Sequence, residues 1–340
     1  MKKLKFFVSV ILLLLSIVGC STKSKEEILF AKDYFPILAN TLYEYEGKGI
    51  EYASYKEFID YTTSDRIQRR INNGGTESAE VVQVANGKVT VIWRQSEIYY
   101  RQNELDRKGT VEILLMEPIK VNTHWTNSDT SVSTITNIAK DVATPSGTYQ
   151  AVEVTKTGSD PTTINLYAKV VGLVKTIYNP GPDEISSSLK KIDKNASLSQ
   201  SINFYYPNIT DGKTYYETRI LNFQTNDITK IILETSYKKT IAEAGKVFNE
   251  TTKINSLSLQ DDGIVTIDLN QSFLDDMNAG SLYESMILQS IATTFGTYYL
   301  ADKVVITIDG KLYKSGHIVF TEGQSLRVNK ADAVQVNPTQ

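Results

Sequence analysis

Alternating hydrophobic and polar positions dominate the chain between residues 30 and 180. Residues 79–85 and 88–94 alternate in this way on either side of Asn86-Gly87, a dipeptide that supports the positive φ angles of a type I′ turn. The pattern therefore predicts a β-hairpin within a mainly antiparallel region. Further strands are predicted at residues 111–116, 147–155 and 163–176, and a short helix at residues 53–61.

From residue 201 onward, strand patterns alternate with helical ones. Residues 264–269 alternate and follow Asp261-Asp262-Gly263, which predicts a hairpin with residues 255–260. Ser281 and Glu284 have the spacing of a capping box and open a helix with a broad apolar face. This region is therefore predicted to be α+β. Other predicted elements are strands at residues 202–206, 214–223 and 304–308 and a helix around residues 228–233, with N-cap candidates at residues 225–227.

The chain is predicted to be multidomain. Proline, glycine and serine cluster at residues 180–188 without periodicity, as is typical of linkers. The predicted fold class is a mainly antiparallel β domain, with a curved sheet or half-barrel, followed by an α+β domain with two helices packed on one sheet face. The predicted segments are a signal peptide at residues 1–19, a lipidated N-terminus and tether at 20–32, the β-rich domain at 33–179, a linker at 180–200, the α+β domain at 201–316 and a C-terminal extension at 317–340.

Two stretches of the β-rich region share the pattern Pro-Ile-x-x-Asn-Thr-x-aromatic, at residues 36–43 and 118–125. Asparagine adopts the left-handed conformation more readily than most residues. Asn40 and Asn122 are therefore each predicted to form a turn that delivers the following aromatic side chain into the core. A duplicated binding element is the alternative interpretation.

The first 20 residues combine a basic head with a short apolar run that ends at the single cysteine, Cys20. Such a run is typical of a secretory signal peptide, because crossing a bilayer takes about 20 apolar residues. A short buried helix with Cys20 in the core is the alternative. Residues 17–20, Ile-Val-Gly-Cys, resemble the lipobox of bacterial lipoproteins. The resemblance implies signal cleavage between Gly19 and Cys20 and lipid attachment to Cys20, which would anchor the chain at the outer face of the cell membrane.

Charge argues against one class of partner. Removal of the three lysines before Cys20 lowers the Lys and Arg count from 36 to 33 against 39 Asp and Glu, so the formal net charge moves from −3 to −6. An acidic chain without a basic block is a poor candidate for nucleic-acid binding, and we expect none. Aromatic clusters are expected mainly in the core; if exposed, they would stack on wall sugars or on a partner. These clusters lie at residues 43–45, 52–61, 99–100 and 204–206.

Residues 167–174 form another distinctive stretch of the β-rich region, Tyr-Ala-Lys-Val-Val-Gly-Leu-Val. Together with the two Pro-Ile repeats, they resemble a β-rich domain that recurs in lipoproteins of Gram-positive bacteria. That domain commonly has glycine where this chain has Asn40, Asn122 and Val170. No chemistry is attributed to it, so the resemblance implies a spacer or a partner-binding surface.

The C-terminal region carries the most specific resemblance. Residues 257–273, the helix through residues 291–295 and the segment 304–311 resemble the sporulation and spore germination GerMN domain. Asp268 falls on the aspartate of that family and Thr294 on its threonine. The resemblance implies a sheet with two helices on one face and a structural or protein-interaction role, without catalytic residues.

Candidate catalytic and metal-binding groups are sparse. Neither His124 nor His317 has a Cys, His or carboxylate at metal-ligand spacing nearby. The pairs Asp261-Asp262 and Asp275-Asp276 are adjacent residues whose side chains point apart, which disfavours a shared proton. Asp268 is interpreted as a satisfied polar residue at a strand end. We therefore expect no enzyme activity, no catalytic or metal-binding residue and no cofactor.

Together these patterns favour a membrane-anchored surface lipoprotein with a structural or protein-interaction role in sporulation or spore germination. Its expected contacts are the membrane, through the lipid on Cys20, and a protein partner or a second copy of the chain, through the GerMN-like domain. The alternative is a ligand-binding lipoprotein whose β-rich domain takes up a cell-wall glycan, a peptide or a lipid. A hydrolase ranks third.

Overall fold

The computed structural model describes residues 28–158, 161–178 and 180–336. Residues 28–194, the N-terminal unit, form a twelve-stranded antiparallel sheet, and residues 198–336, the C-terminal unit, are α+β. The predicted fold class is confirmed. The strands of the N-terminal unit are β1 (Thr41–Lys48), β2 (Tyr55–Thr62), β3 (Arg66–Asn72), β4 (Glu77–Ala85), β5 (Lys88–Ser96), β6 (Glu112–Met116), β7 (His124–Thr126), β8 (Val132–Thr144), β9 (Gly147–Thr157), β10 (Thr163–Ala168), β11 (Gly172–Tyr178) and β12 (Ile185–Lys194).

The twelve-stranded sheet curls until its two edges nearly meet. The strand order is β6-β5-β4-β3-β2-β1-β12-β11-β10-β9-β8-β7, so the two edge strands are consecutive in the chain. The indole Nε1 of Trp125 donates to the carbonyl of Ile113 at 2.9 Å, and the Ile113 amide donates to Oδ1 of Asn127 at 3.1 Å. These side chains therefore connect the two edge strands, between which no backbone hydrogen-bond ladder forms. They cover backbone groups of the edge strands that would otherwise be unpaired.

Both copies of the Pro-Ile repeat form the predicted turn. Asn40 and Asn122 have φ angles of 52° and 70°. The aromatic side chains that follow them, Tyr43 and Trp125, are buried. The hairpin predicted at Asn86-Gly87 is also confirmed, with φ angles of 52° and 70° at the turn.

The space inside one half of the curved sheet is filled by a short 3₁₀ helix, Ala31–Tyr34. The Ala31 amide donates to Oε1 of Glu117 at 2.8 Å, which holds the helix inside the sheet. Burial of each large apolar side chain here contributes about 1.5–3 kcal/mol. The side chains packed around the helix include Phe35, Ile59, Ile67, Val91, Trp125 and Ile135.

The helix predicted at residues 53–61 is wrong, because this segment forms strand β2. Five consecutive residues from Glu57 to Tyr61 are buried, so the alternation that marks a half-exposed strand is absent. The cause is that both faces of β2 are covered: Ile59 packs inside the curved sheet, while Asp60 faces a buried contact with the C-terminal unit. A continuous buried run of this kind does not distinguish a strand from a helix.

The segment predicted as a linker, residues 180–200, contains strand β12 and the start of the next strand. Strand β12 pairs with β1 on one side and β11 on the other. Ser186 and Ser187 suggested a linker, but both are buried, and the Ser187 hydroxyl donates to the carbonyl of Ala53 at 2.6 Å. The strand predicted at residues 163–176 is likewise divided into β10 and β11 by a turn.

The C-terminal unit holds two sheets and three helices among its described residues. Helix α3 packs against strands of both sheets, and its buried side chains, such as Leu288 and Phe295, build the core. The elements are β13 (Leu198–Asn208), β14 (Lys213–Phe223), α1 (Thr229–Tyr237), β15 (Ile254–Leu259), β16 (Ile264–Leu269), α2 (Ser272–Asp275), α3 (Ser281–Tyr299), β17 (Lys303–Ile308), β18 (Lys311–Leu312), β19 (Leu326–Arg327) and β20 (Val334–Gln335). The predicted C-terminal extension thus contributes β19, which pairs with β17, and β20, which pairs with β14.

The capping box predicted at the start of α3 does not form. The N-cap residue is Gly280, which has no side chain to cap the helix, and Ser281 is the first helical residue. Glu284 is fully buried instead and accepts a hydrogen bond from the Tyr313 hydroxyl at 2.6 Å, so it joins the helix to the segment after β18. At the start of α1, Ile228 occupies the N-cap position rather than one of residues 225–227.

Within the described part of the chain, no helix has both the length and the apolar character needed to cross a membrane.

Candidate functional site

The inner face of the curved sheet encloses a cavity of about 510 Å³ in the half that the 3₁₀ helix leaves open. Its wall combines charged side chains with tyrosines and with small polar groups. Tyr52, which is 56% exposed, lines the cavity, and the side chain of Arg94 is 40% exposed, so the cavity opens to solvent beside them. A concave, partly apolar site with a few polar groups is the usual form of a small-molecule site.

A continuous chain of ion pairs crosses the wall of this cavity. Arg69 contacts Glu57 at 3.0 Å and Glu80 at 2.6 Å. Glu80 also contacts Arg94 at 2.5 Å, and Arg94 reaches Glu112 at 3.3 Å. The chain continues from Glu112 to Lys156 and on to Asp129, each step at 3.0 Å. Each cation therefore lies between two carboxylates.

The pKa values within this ion-pair chain differ according to burial and to the number of cations in contact. Burial raises the pKa of Glu57, because its one guanidinium partner, Arg69, offsets only part of the desolvation. Burial also opposes ionisation of Glu80, but Arg69 and Arg94 together outweigh it and lower the pKa of that carboxyl. The pKa values of the two carboxyls that contact Arg69 are thus shifted in opposite directions, upward for Glu57 and downward for Glu80.

Uncharged polar groups and rings complete the lining of the cavity. Oγ1 of Thr176 donates to Oδ1 of Asn165 at 2.9 Å, which fixes this amide in the lining of the cavity. Tyr167 and Tyr178 come from the neighbouring strands β10 and β11 and line the same space. None of these residues was predicted to belong to a site, because their positions in the sequence look like ordinary alternating strand positions.

A second constellation joins the two units around Arg101, whose side chain is 0% exposed. Its guanidinium donates to Oδ1 of Asp60 at 3.3 Å and to the carbonyl of Asp60 at 2.8 Å. It also donates across to the carbonyl of Gln224 at 3.0 Å and lies over the rings of Tyr61 and Phe223, 4.6 and 4.8 Å from their centroids. This one side chain therefore binds both units.

Hydrogen bonds around Arg101 extend the junction. The side-chain amide of Gln102 donates to the carbonyl of Leu259 at 3.1 Å and accepts from its backbone N–H at 2.8 Å. Leu259 lies on β15, an edge strand of its sheet, so Gln102 satisfies backbone groups that a neighbouring strand would otherwise pair with. Tyr298 donates its hydroxyl to Oε1 of Gln200 at 3.2 Å and accepts from the Arg101 amide at 2.9 Å.

The two residues matched to the GerMN pattern both have structural contacts. Oδ1 of Asp268 accepts from the Thr307 hydroxyl at 2.6 Å and from the Gly310 amide at 2.8 Å. Burial opposes its ionisation, but these bonds outweigh burial and lower the pKa of Asp268, so its interpretation as a satisfied strand-end residue is confirmed. Thr294 is buried and its hydroxyl donates to the Tyr237 hydroxyl at 3.0 Å.

The other candidate residues are dispersed. His124 and His317 are exposed and lie in different units. Asp261 pairs with Arg107 at 3.0 Å, and Asp262 accepts from the Ile264 amide at 3.0 Å, as turn residues do. In the described ranges, no cluster of three or more His, Cys, Asp or Glu residues could hold a metal ion.

The remaining candidates are the second carboxylate pair, Asp275-Asp276, and the predicted lipid-attachment residues. Asp275 accepts from the Gln271 side chain and Asp276 from the Thr251 hydroxyl, so the two carboxylates serve separate contacts. Cys20 and Gly19, the predicted lipid-attachment and cleavage residues, lie outside the described residues.

Comparison with protein families gives a match in the C-terminal unit. Residues 203–314 match the family model Germane, described as sporulation and spore germination. The resemblance of this region to the GerMN domain is confirmed. The comparison with curated proteins gives no match.

Several solved structures share local similarity with the chain. The first GerMN domain of the sporulation protein GerM from Bacillus subtilis is 19% identical, with a TM-score of 0.29, and the match covers 40% of this chain and 99% of that domain. The tandem GerMN domains of the same protein are 16% identical with a TM-score of 0.29, covering 38% of this chain and 46% of theirs. A protein proposed to be exported, with a YmcC-like fold, from Bacteroides fragilis is 11% identical with a TM-score of 0.30, covering 49% of this chain and 100% of that one. The chain thus spans less than half of the tandem protein.

Proposed function

We propose that this chain is an extracytoplasmic lipoprotein, held at the outer face of the cell membrane by a lipid on Cys20, whose C-terminal unit makes protein contacts during sporulation or spore germination. The observation that carries the proposal is the match of residues 203–314 to a family described by that process. The lipobox-like residues 17–20 support the anchor. In this account the protein has no catalytic role, and the contact is with another protein or with a second copy of the chain.

The buried junction at Arg101 supports a scaffold-like role. A guanidinium that donates to both units, with reciprocal Gln102–Leu259 bonds beside it, fixes the C-terminal unit against the outer face of the curved sheet. A rigid arrangement of this kind would hold an interaction surface at a set distance from the membrane.

The proposal is tested in the source bacterium by deleting the gene and restoring either the wild type or Cys20→Ala. With an alkyne-labelled palmitate probe, we expect label on the wild type, which should lie in the membrane fraction, and no label on Cys20→Ala. Heat-resistant spore yield or germination rate should fall in the deletion strain and recover with the wild type alone. Ser21→Ala is the matched control, since it alters the neighbouring residue and keeps the thiol. An unlabelled wild type would contradict the anchor, and unchanged sporulation and germination after deletion would contradict the role.

A second candidate function, ligand binding by the N-terminal unit, is favoured by one observation. The cavity of about 510 Å³ is lined by oriented polar groups rather than filled by core side chains. Its volume falls in the range of about 300–1,000 Å³ that is usual for small-molecule sites. In this case the N-terminal unit would bind the ligand, and the C-terminal unit would contact other proteins.

A further inference from the structure

The charges that line the cavity are balanced and already paired. Arg69, Arg94 and Lys156 contribute three positive charges, and Glu57, Glu80 and Glu112 contribute three negative ones. Each cation lies between two carboxylates at 2.5–3.3 Å; for Lys156 the second is Asp129, which is 51% exposed and is not part of the cavity lining. A ligand with a net charge would meet a like charge beside every opposite charge, and this repulsion offsets much of the attraction.

A ligand that both donates and accepts hydrogen bonds meets no such penalty. Carboxylate oxygens of the ion-pair chain have lone pairs beyond those used by the arginines, and guanidinium groups carry five N–H donors each. The Asn165 side-chain amide and the rings of Tyr52 and Tyr178 line the same space and add a polar group and apolar surface. Rings with hydroxyl and amide substituents match this mixture, because they present apolar faces and polar edges together.

The same wall disfavours the other ligands considered for this unit. An acyl chain would bury the three cations and three carboxylates without offering a hydrogen bond, at a cost in desolvation. A free peptide would bring its own charged termini to a site whose charges are already paired. The ionic groups therefore select against both.

We infer that this cavity binds a neutral saccharide of one or two sugar rings, held by the ion-pair chain and Asn165 and stacked on Tyr52 or Tyr178. This inference rests on the second candidate function, ligand binding by the N-terminal unit, and is independent of the protein contacts proposed for the C-terminal unit. Because the ligand carries no net charge, its affinity should change little with salt concentration.

The inference is tested by isothermal titration of the full chain in lipid nanodiscs with three probes: N,N′-diacetylchitobiose, the tripeptide Ala-Ala-Ala and lauric acid. We expect saturable binding of the chitobiose alone, with a Kd that changes less than about twofold between 50 mM and 500 mM salt. Binding of only the tripeptide or lauric acid would overturn the saccharide assignment while leaving ligand binding in place. Absence of binding by all three would overturn both.

Two variants test whether chitobiose binds in this cavity. Asn165→Ala should weaken chitobiose binding at least tenfold. Tyr52→Ala, at a position that is 56% exposed, should weaken it severalfold. Asn203→Ala is the matched control: Oδ1 of Asn203 accepts from the hydroxyl of Thr218 at 2.7 Å in the C-terminal unit, as Oδ1 of Asn165 accepts from Thr176. Equal affinities in the wild type and both cavity variants would place the sugar elsewhere and overturn the assignment.

Discussion

Replacing Arg101 by methionine removes the charge at the junction of the two units and keeps most of the apolar stem. The change removes the Arg101 donors that lie 2.8 and 3.0 Å from the carbonyl oxygens of Asp60 and Gln224, but each carbonyl keeps a backbone donor, the amide of Asn226 or of Asp227. The main cost is the loss of the buried ion pair with Asp60, and breaking such a pair from one side costs about 3–5 kcal/mol. Asp60 retains Arg70 at 2.8 Å, which limits the damage. We therefore expect the free energy of unfolding to fall by about 3 kcal/mol, the lower end of that range.

Arg107→Met provides the matched control for Arg101→Met. Arg107 also bridges the units, since its guanidinium contacts Asp261 at 3.0 Å, but the two side chains are 38% and 86% exposed. Exposed pairs contribute about 0–1 kcal/mol. Urea denaturation followed by the fluorescence of Trp93 and Trp125 and by circular dichroism measures both variants. A cost of Arg101→Met no greater than that of Arg107→Met would mean that the buried Arg101 does not join the two units.

Three further predictions concern single residues. Val170 is β-branched, 72% exposed and at a φ of 59°, so Val170→Gly should raise the free energy of unfolding by about 1 kcal/mol. An unchanged or lower urea midpoint would show that the backbone at Val170 carries no strain. Asn40→Gly should lower the free energy of unfolding by about 1 kcal/mol, because Oδ1 of Asn40 accepts from the Thr225 amide at 2.8 Å. Asn122→Gly, at a similar positive φ, should be nearly neutral, and equal urea midpoints for the two variants would contradict this. Asp268, whose pKa is lowered, contributes stability above its ordinary pKa of 3.8 that is lost as pH falls through the lower value in the folded protein. Asp268→Asn should therefore flatten the fall in urea midpoint between about pH 5 and pH 2, and parallel curves would argue against the assignment.

Local turn chemistry could be predicted from the sequence because it depends on few residues. Asn86-Gly87 and the two asparagines of the Pro-Ile repeat adopt positive φ angles as their residue types indicate. The ion-pair chain in the cavity could not be predicted in this way. Counting outward from the Asn86-Gly87 turn pairs Glu80 with Trp93, but a β-bulge between Val81 and Val82 shifts the partner of Glu80 to Arg94.

Tertiary burial accounts for the largest differences between prediction and structure. The outer face of the curved sheet near β2 is covered by the C-terminal unit, so β2 lacks the alternation by which an ordinary strand is recognised. The same packing buries Arg101, which lies in a segment without periodicity and therefore gave no signal. Serines at residues 186–188 suggested a linker, yet they form part of a central strand because Ser187 finds a carbonyl partner.

Site-specific photo-crosslinking in intact cells tests most directly whether the C-terminal unit is the interaction surface. A photoreactive amino acid is placed at Lys311 or Glu322 in the C-terminal unit, and at Lys108 or Lys140 in the N-terminal unit as controls; all four residues are exposed. The account predicts an adduct of defined mass, with another protein or a second copy of the chain, from the C-terminal positions in sporulating or germinating cells only. Adducts formed solely from the N-terminal positions, or equally in vegetative cells, would contradict it.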